Sequence, residues 1–150
     1  NYTNFRYGEY ISGDLNLKGN YLPGIPTRFG NLELKYKNSK KLNIDLYLDD
    51  LKDSAGSELE KETYKIIMEL LSNTLKHAEA KLITLQINEI DHDLTVVYED
   101  NGKGFSPNKN QESGLGIRSI NERVKNLNGN WQIDSSPNNG TTVIIKIPKT

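Results

Sequence analysis

The sequence predicts an α/β two-layer sandwich: a mixed, mainly antiparallel sheet with helices covering one face. Three observations predict it. A long stretch from near Glu58 to Ala78 carries apolar residues at three- and four-residue steps, the period of a helix packed on a core. Directly after Ala78 the period drops to two, and strand-like runs follow in hairpin order. A second helical pattern then leads into two further strands, so helices and strands interleave within one chain of 150 residues.

Composition narrows the class. The length suits one domain with at most a short appendage, and a hydrophobic content of 35% suffices for a two-layer core at this size. A net charge of −1 gives no electrostatic case for a nucleic-acid partner. With no cysteine there is neither a disulfide scaffold nor a thiolate metal site, and two histidines make a zinc centre an unexpected feature. No apolar run approaches the roughly 20 residues that span a bilayer, and no signal-peptide pattern is present. A cytosolic domain is the simplest expectation. The chain begins at Asn1 rather than Met, and is read as a piece of something longer.

Residues 1–30 are an unassigned leader or linker, and residues 31–150 are the domain. The leader holds five of the 12 glycines and many aromatics: Tyr2, Phe5, Tyr7, Tyr10 and Tyr21. Its broken alternation (Phe5, Tyr7, Ile11, then Leu15 and Leu17) suits a short hairpin or a flexible leader equally, and no chemistry is assigned to it. Residues 31–41 read as a short polar helix. Leu42, Ile44, Leu46 and Leu48 alternate with polar residues as in a half-buried strand.

A polar loop over 49–57 ends at Ser57, which forms a capping-box pattern with Glu60 and starts the long helix. Its apolar face is Leu59, Ile66, Ile67, Leu70 and Ala78, with Leu71 and Leu75 alongside. Leu82 to Ile90 reads as a strand, Asp91-His92-Asp93 as a tight turn, and Leu94 to Glu99 as the antiparallel partner, with His92 a solvated turn residue. Asp100-Asn101-Gly102-Lys103-Gly104-Phe105 ends that strand, and residues 106–113 form a polar loop. Gly114-Leu115-Gly116-Ile117 opens a second helix with Ile117, Ile120, Val124 and Leu127 on one face and Gly129 as its C-cap. Trp131 to Ser135 is a strand, residues 137–140 a turn, and Thr141 to Ile147 a β-branched strand.

Chemistry gathers in three places. Glu69, Asn73 and Lys76 recur at steps of four and three and so share one helix face, with His77 beside it. The amide oxygen suits a hard cation such as magnesium, the ammonium suits phosphate, and the carboxylate can orient or polarise an attacking group. Alone, such a stripe is equally a solvated polar face. Gly102 and Gly104 follow Asp100 at a strand end, while Gly114 and Gly116 open a helix whose N-terminal amides favour phosphate. The polar loop between them suits a closing lid, and each glycine cluster alone reads equally as an ordinary turn. Asp100 can accept from an exocyclic amine such as adenine presents, or cap its own loop amides. Thr141 and Thr142 can offer a hydroxyl to a base or a water, and strand propensity also explains them.

The order of these pieces is more specific than any one of them. Glu-x-x-x-Asn-x-x-Lys-His-Ala on a helix precedes a hairpin ending Asp-x-Gly-x-Gly-Phe; Gly-Leu-Gly-Ile, a helix, a strand and Gly-Thr-Thr follow. Over about residues 31–148 this resembles the ATP-binding domain of sensor histidine kinases, in the GHKL superfamily of gyrase, heat-shock chaperone and mismatch-repair ATPases. Asn-x-x-Lys-His-Ala-x-Ala with Gly-Leu-Gly-Ile-Arg-Ser-Ile is most similar to kinases typified by nitrate/nitrite sensors and membrane thermosensors.

The resemblance implies the Bergerat ATP-binding fold, with ATP and Mg2+ as ligands. Asn73 would hold the magnesium and Glu69 would be the catalytic group that polarises the reacting atoms. Lys76 and His77 would lie near the phosphates. Asp100 would take the adenine amino group, supported by Thr141 or Thr142. Gly102 and Gly104 would shape the adenine pocket, and residues 105–113, starting at Phe105, would form the lid. Gly114, Leu115 and Gly116 would start the second helix against the phosphates, with Ile117 in the pocket wall. The implied function is donation of the γ-phosphate to a histidine on a separate dimerisation domain, with a response regulator downstream, a homodimer in the full-length protein, and a cytoplasmic location within a membrane-anchored sensor.

The chain departs from the family in one place. Such kinases carry the phosphorylated histidine on a helical hairpin before this domain, and residues 1–30 lack the periodicity for one. Neither His77, within the ATP motif, nor His92, in a turn, is expected to accept phosphate. Other readings share the pocket: an anti-sigma-type serine kinase, an ATP hydrolase of the wider superfamily, or a non-catalytic nucleotide-binding interaction module. The intact acid, amide, lysine and glycines argue against the last.

Overall fold

A computed structural model describes residues 16–18, 28–36, 40–49, 58–106 and 114–149. In chain order the elements are β1 (Asn16–Lys18), β2 (Arg28–Tyr36), β3 (Lys40–Asp49), α1 (Glu58–Asn73), β4 (Leu82–Ile90), β5 (Asp93–Asp100), α2 (Leu115–Asn126), β6 (Asn130–Ser135) and β7 (Thr141–Pro148). One π-helical turn, Thr74–Ala78, continues α1. The strands form a single seven-stranded sheet in the order β1-β2-β3-β4-β5-β7-β6. Only the β3–β4 pair is parallel among these, with Asn43 opposite Leu82, and α1 is the crossover that such a pair requires. The mixed, mainly antiparallel sandwich expected from the sequence is the fold observed.

Strand alternation sorts the two faces. Leu42 and Ile44 of β3, Ile83 and Leu85 of β4, Val96 and Tyr98 of β5, and Val143, Ile145 and Ile147 of β7 are buried on the helix side. Ile66 and Leu70 of α1 and Ile120 and Val124 of α2, each pair four residues apart, close the core over them. On the other face Glu99, Gln132, Asp134 and Lys146 are exposed. Glu62 of α1 ties the helices together: it pairs with Arg123 of α2 and, at 2.5 Å, with Lys65. The Lys65 ammonium, then the Arg123 guanidinium, hold its carboxyl below the ordinary glutamate range.

Turns follow local chemistry. The β4–β5 hairpin closes through Asp91 (φ 51°) and His92 (φ 70°), both left-handed, as a two-residue turn matching the strand twist requires. His92 is exposed there, as a turn residue should be.

Two local expectations are corrected. Residues 31–41 do not begin a polar helix: Arg28–Tyr36 is a strand, paired antiparallel with β3 from Arg28–Leu48 to Tyr36–Lys40. Leu32, Leu34 and Tyr36 alternate with Glu33 and Lys35, and an open neighbouring edge lets that period of two outweigh the helix propensity of Leu, Glu and Lys. The C-cap of α2 is also displaced by one. Asn128, at φ 55°, takes the left-handed position and donates to the Lys125 carbonyl at 2.9 Å. Gly129 N–H donates to the Val124 carbonyl at 2.9 Å, completing a Schellman motif with asparagine in the usual glycine position. The Ser57 cap lies outside the described residues. So does most of the leader, of which Asn16–Lys18 pairs with Asn31–Glu33 of β2.

Candidate functional site

A cavity of about 780 Å³ opens between α1, α2 and the ends of β5, β6 and β7. Its floor at the β5 end is set by alternation: Val96, Tyr98 and Asp100 all point to the helix side, and Asp100 is the last of them. The Asp100 carboxylate is buried and held from two directions. Its Oδ1 accepts from the Gly102 amide at 2.8 Å and its Oδ2 from the Thr74 hydroxyl at 3.0 Å. Thr74 Oγ1 lies 2.6 Å from the Tyr98 hydroxyl, which is also 3.4 Å from the Leu70 carbonyl. Burial raises the Tyr98 phenol above its ordinary range; the Thr74 bond opposes that shift and the Asp100 charge adds to it.

The loop after Asp100 is fastened by its backbone. Asn101 Oδ1 accepts from the amides of Lys81 and Leu82, each at 2.9 Å. Lys103 N–H donates to the Ala78 carbonyl at 2.8 Å, and the Lys103 carbonyl accepts from Asn138 N–H at 2.7 Å. Phe105 N–H donates to Ser135 Oγ at 3.0 Å. Gly104 has φ +57°, and a side chain there would run into the Ser136 carbonyl, so the turn admits only glycine without strain.

The other end is built by α1 and the start of α2. Glu69, Asn73, Lys76 and His77 all line the cavity, together with Gly114, Leu115 and Gly116. The helix faces differ from the expected regular stripe. Three consecutive residues spread over roughly 200° of an α-helix, yet Lys76, His77 and Ala78 all face the cavity. The wider π turn over Thr74–Ala78 reduces the rotation per residue and gathers them. At Gly116 the helices come so close that a Cβ would collide with Glu69 Oε1 and sit 3.1 Å from Asn73 Nδ2. The acid and the amide therefore converge beside the N-terminus of α2. Gly114 differs: nothing lies within 4 Å of where its Cβ would be.

Of the residues singled out from sequence, Glu69, Asn73, Lys76, His77, Asp100, Gly104, Phe105, Gly114, Leu115, Gly116, Ile117 and Thr141 line this cavity. Two do not. Gly102 stands behind the wall, giving its amide to Asp100. Thr142 is a correction: successive strand residues face opposite ways, and Thr141 and Val143 take the cavity side. Residues 107–113 of the expected lid lie outside the described residues; Phe105 and Ser106, which lead into it, line the cavity mouth.

Thr74, Tyr98, Lys103, Trp131 and Ile133 also line it and were not anticipated. Tyr98 was findable, standing two residues before Asp100 on an alternating strand. Trp131 and Ile133 were findable through the same alternation in β6. Thr74 was findable too, four residues after Leu70 on the buried face, whereas nothing in the sequence marks the π turn itself.

The comparisons with known proteins agree with this geometry. The family model described as histidine kinase-, DNA gyrase B- and HSP90-like ATPase matches residues 58–150, a span that holds every cavity-lining residue. The signal transduction histidine-protein kinase/phosphatase DegS of Brevibacillus brevis is 42% identical over 87 residues, covering 58% of this chain and 22% of that protein. The sensor histidine kinase LiaS of Bacillus subtilis is 31% identical over 135 residues, covering 89% of this chain and 37% of that protein. The chain thus spans well under half of these relatives. Among solved structures, the histidine kinase domain of the Erythrobacter litoralis EL346 blue-light activated histidine kinase aligns with a TM-score of 0.52 at 26% identity, over 58% of this chain and 43% of that one. With its family model matched across both helices and the three strands that form the cavity, the chain belongs to the histidine kinase-, DNA gyrase B- and HSP90-like ATPase family.

Proposed function

We propose that this chain binds Mg-ATP and presents the γ-phosphate to a histidine on a separate dimerisation domain of a two-component sensor kinase. The observation that carries the reading is one continuous cavity with a buried carboxylate at one end and a converging acid, amide and helix N-terminus at the other. Asp100 accepts from the adenine amino group, with Thr141 beside it. Val143, Ile117, Ile120 and Leu70 supply apolar wall for the ring. The phosphates reach the amides at the start of α2, which is 12 residues long and carries the positive end of its dipole there. Lys76 and His77, exposed at the cavity edge, add donors to them.

The donor set fits magnesium. Asn73 and Glu69 each carry a hard oxygen donor and both side chains converge on Gly116, and this ion is usually held by one or two side chains together with phosphate oxygens. Bound there, magnesium would neutralise charge developing on the transferred group. Glu69 orients and polarises the attacking nitrogen, and the amides of α2 hold the phosphates in line.

The acceptor comes from elsewhere. His77 is fixed in the π turn as a lining residue, and His92 lies at the far end of β5, about 25 Å along the strand from Asp100. The reading places this domain in the cytoplasmic part of a membrane-anchored, homodimeric sensor that passes phosphate to a response regulator. The test is label transfer from γ-labelled Mg-ATP at alkaline pH. The chain alone should retain no label. Adding a helical-hairpin histidine domain from the same kinase should yield acid-labile label on that domain. Acid-resistant label on the chain or on a partner would instead favour a serine kinase.

A further inference from the structure

Asp100 has two carboxylate oxygens, and each already has one protein donor. The direction of the bonds behind it is determined. The Thr74 hydroxyl donates to Asp100 Oδ2 at 3.0 Å, which uses its single proton. The single Tyr98 proton has two acceptors in reach, the Leu70 carbonyl at 3.4 Å and Thr74 Oγ1 at 2.6 Å; the short contact needs a proton between its two oxygens and Thr74 has none left, so the phenol donates to Thr74 in preference to Leu70. Tyr98 is 1% exposed and Thr74 3%, so water does not compete for either hydroxyl. Burial keeps the phenol protonated well above neutral pH, which leaves it a donor throughout the working range.

From this geometry we infer that Tyr98 and Thr74 are specificity-determining positioning residues: a one-way relay, Tyr98 to Thr74 to Asp100, that fixes the carboxylate as an acceptor aimed into the cavity. The inference rests on the adenine reading of Asp100. A carboxylate pinned from behind cannot swing away, and its open lone pairs meet the ligand. An exocyclic amino group satisfies them. A purine with a carbonyl at the same ring position brings acceptor against acceptor, which is penalised far more when neither side can rotate. Tyr98 is itself among the residues lining the cavity, so the relay and the base share one wall. The four-residue step from Leu70 places Thr74 on the buried face of the helix, between Leu70 and Asp100.

The test compares affinities of the whole chain for ATP, inosine triphosphate and pyrophosphate at fixed magnesium. Thr74→Val keeps the shape and removes the hydroxyl; the ATP-over-inosine preference should fall about tenfold, with pyrophosphate unchanged. Tyr98→Phe removes one oxygen from the far end of the relay and should lower the same ratio about threefold. Thr74→Ser should restore the preference, which a purely steric role for the threonine would not allow. If both Thr74→Val and Tyr98→Phe leave the ratio intact while Asp100→Asn collapses it, the relay is overturned and the adenine assignment stands. Equal weakening of all three ligands also overturns it, as that marks a general loss of structure. If Asp100→Asn itself leaves the ratio unchanged, the adenine reading falls and takes the relay with it. Should Thr74→Val fail to fold, Tyr98→Phe decides the matter alone.

Discussion

At the β5 end of the cavity Asp100, Thr74 and Tyr98 are buried and hydrogen-bonded to one another; at the α2 end Lys76, His77 and Leu115 are exposed and Asn73 is half-buried. The first end is finished before any ligand arrives, with its backbone loop fastened to β4, β6 and the 136–140 turn. The second is a set of charges and amides whose order a polyphosphate and its cation would complete. Rigid selection of a base and adaptable capture of phosphates call for opposite constructions. On the proposed reading the sheet would supply the first, and the junction of two helices the second.

Glycine substitution breaks this contrast most strongly. Gly104→Val, at φ +57° against the Ser136 carbonyl, should cost about 2–4 kcal/mol and lower Tm by roughly 5–15 °C. Gly114→Ser, where nothing lies within 4 Å, should move stability by no more than about 0.5 kcal/mol. Thermal unfolding of the two variants side by side checks this. Equal losses would mean that the α2 end is as tightly built as the β5 end.

Magnesium sharpens the same contrast at smaller cost. Asn73→Ala should remove on the order of tenfold of magnesium-dependent nucleotide affinity. Magnesium-free ADP should bind within about twofold of wild type, because the base end is untouched. Calorimetry with and without the ion separates the two; a surviving magnesium-dependent gain would place the cation elsewhere.

The smallest effect is the response to acid. Glu62 has its carboxyl held below 4.5 by Lys65 and Arg123, so its stabilising contribution is complete above pH 4.5 and is lost as pH falls through the depressed folded value. Because Glu62 joins α1 to α2, the helix side should loosen first. Hydrogen exchange on acidification should rise in α2 before β5, and Arg123→Gln should flatten the pH dependence of stability in that window.

Much of this was legible in the sequence because periodicity and site chemistry coincide. The span of β4 followed from Leu82 to Ile90 in full, and the inward set Val96, Tyr98, Asp100 follows from alternation alone. Glu69, Asn73 and Lys76 were readable as one helix face with His77 beside it, and all four line the cavity. Besides the π turn, three features were not legible, each because tertiary context decided it. β2 is a strand because β3 offers it an edge. Asn128 rather than Gly129 caps α2 because Gly129 is needed for closeness to β7, where a Cβ would lie 2.7 Å from the Lys146 carbonyl. Thr142 lost its place to Thr141 because register decides between adjacent, chemically identical residues.

The π turn carries a consequence of another kind. Over Thr74–Ala78 the helix holds one residue more than regular α-geometry needs to span the same rise, so its length is part of its information content. Deleting Leu75 would let the segment relax to ordinary i→i−4 bonding with both flanks in place. Such a variant should give up the packing of Leu75 against the core and lose nucleotide affinity as well, since Lys76, His77 and Ala78 could no longer share a side. Sequence drift by substitution and by loss of a residue would therefore act differently here: the first changes one contact, and the second changes the phase of all of them.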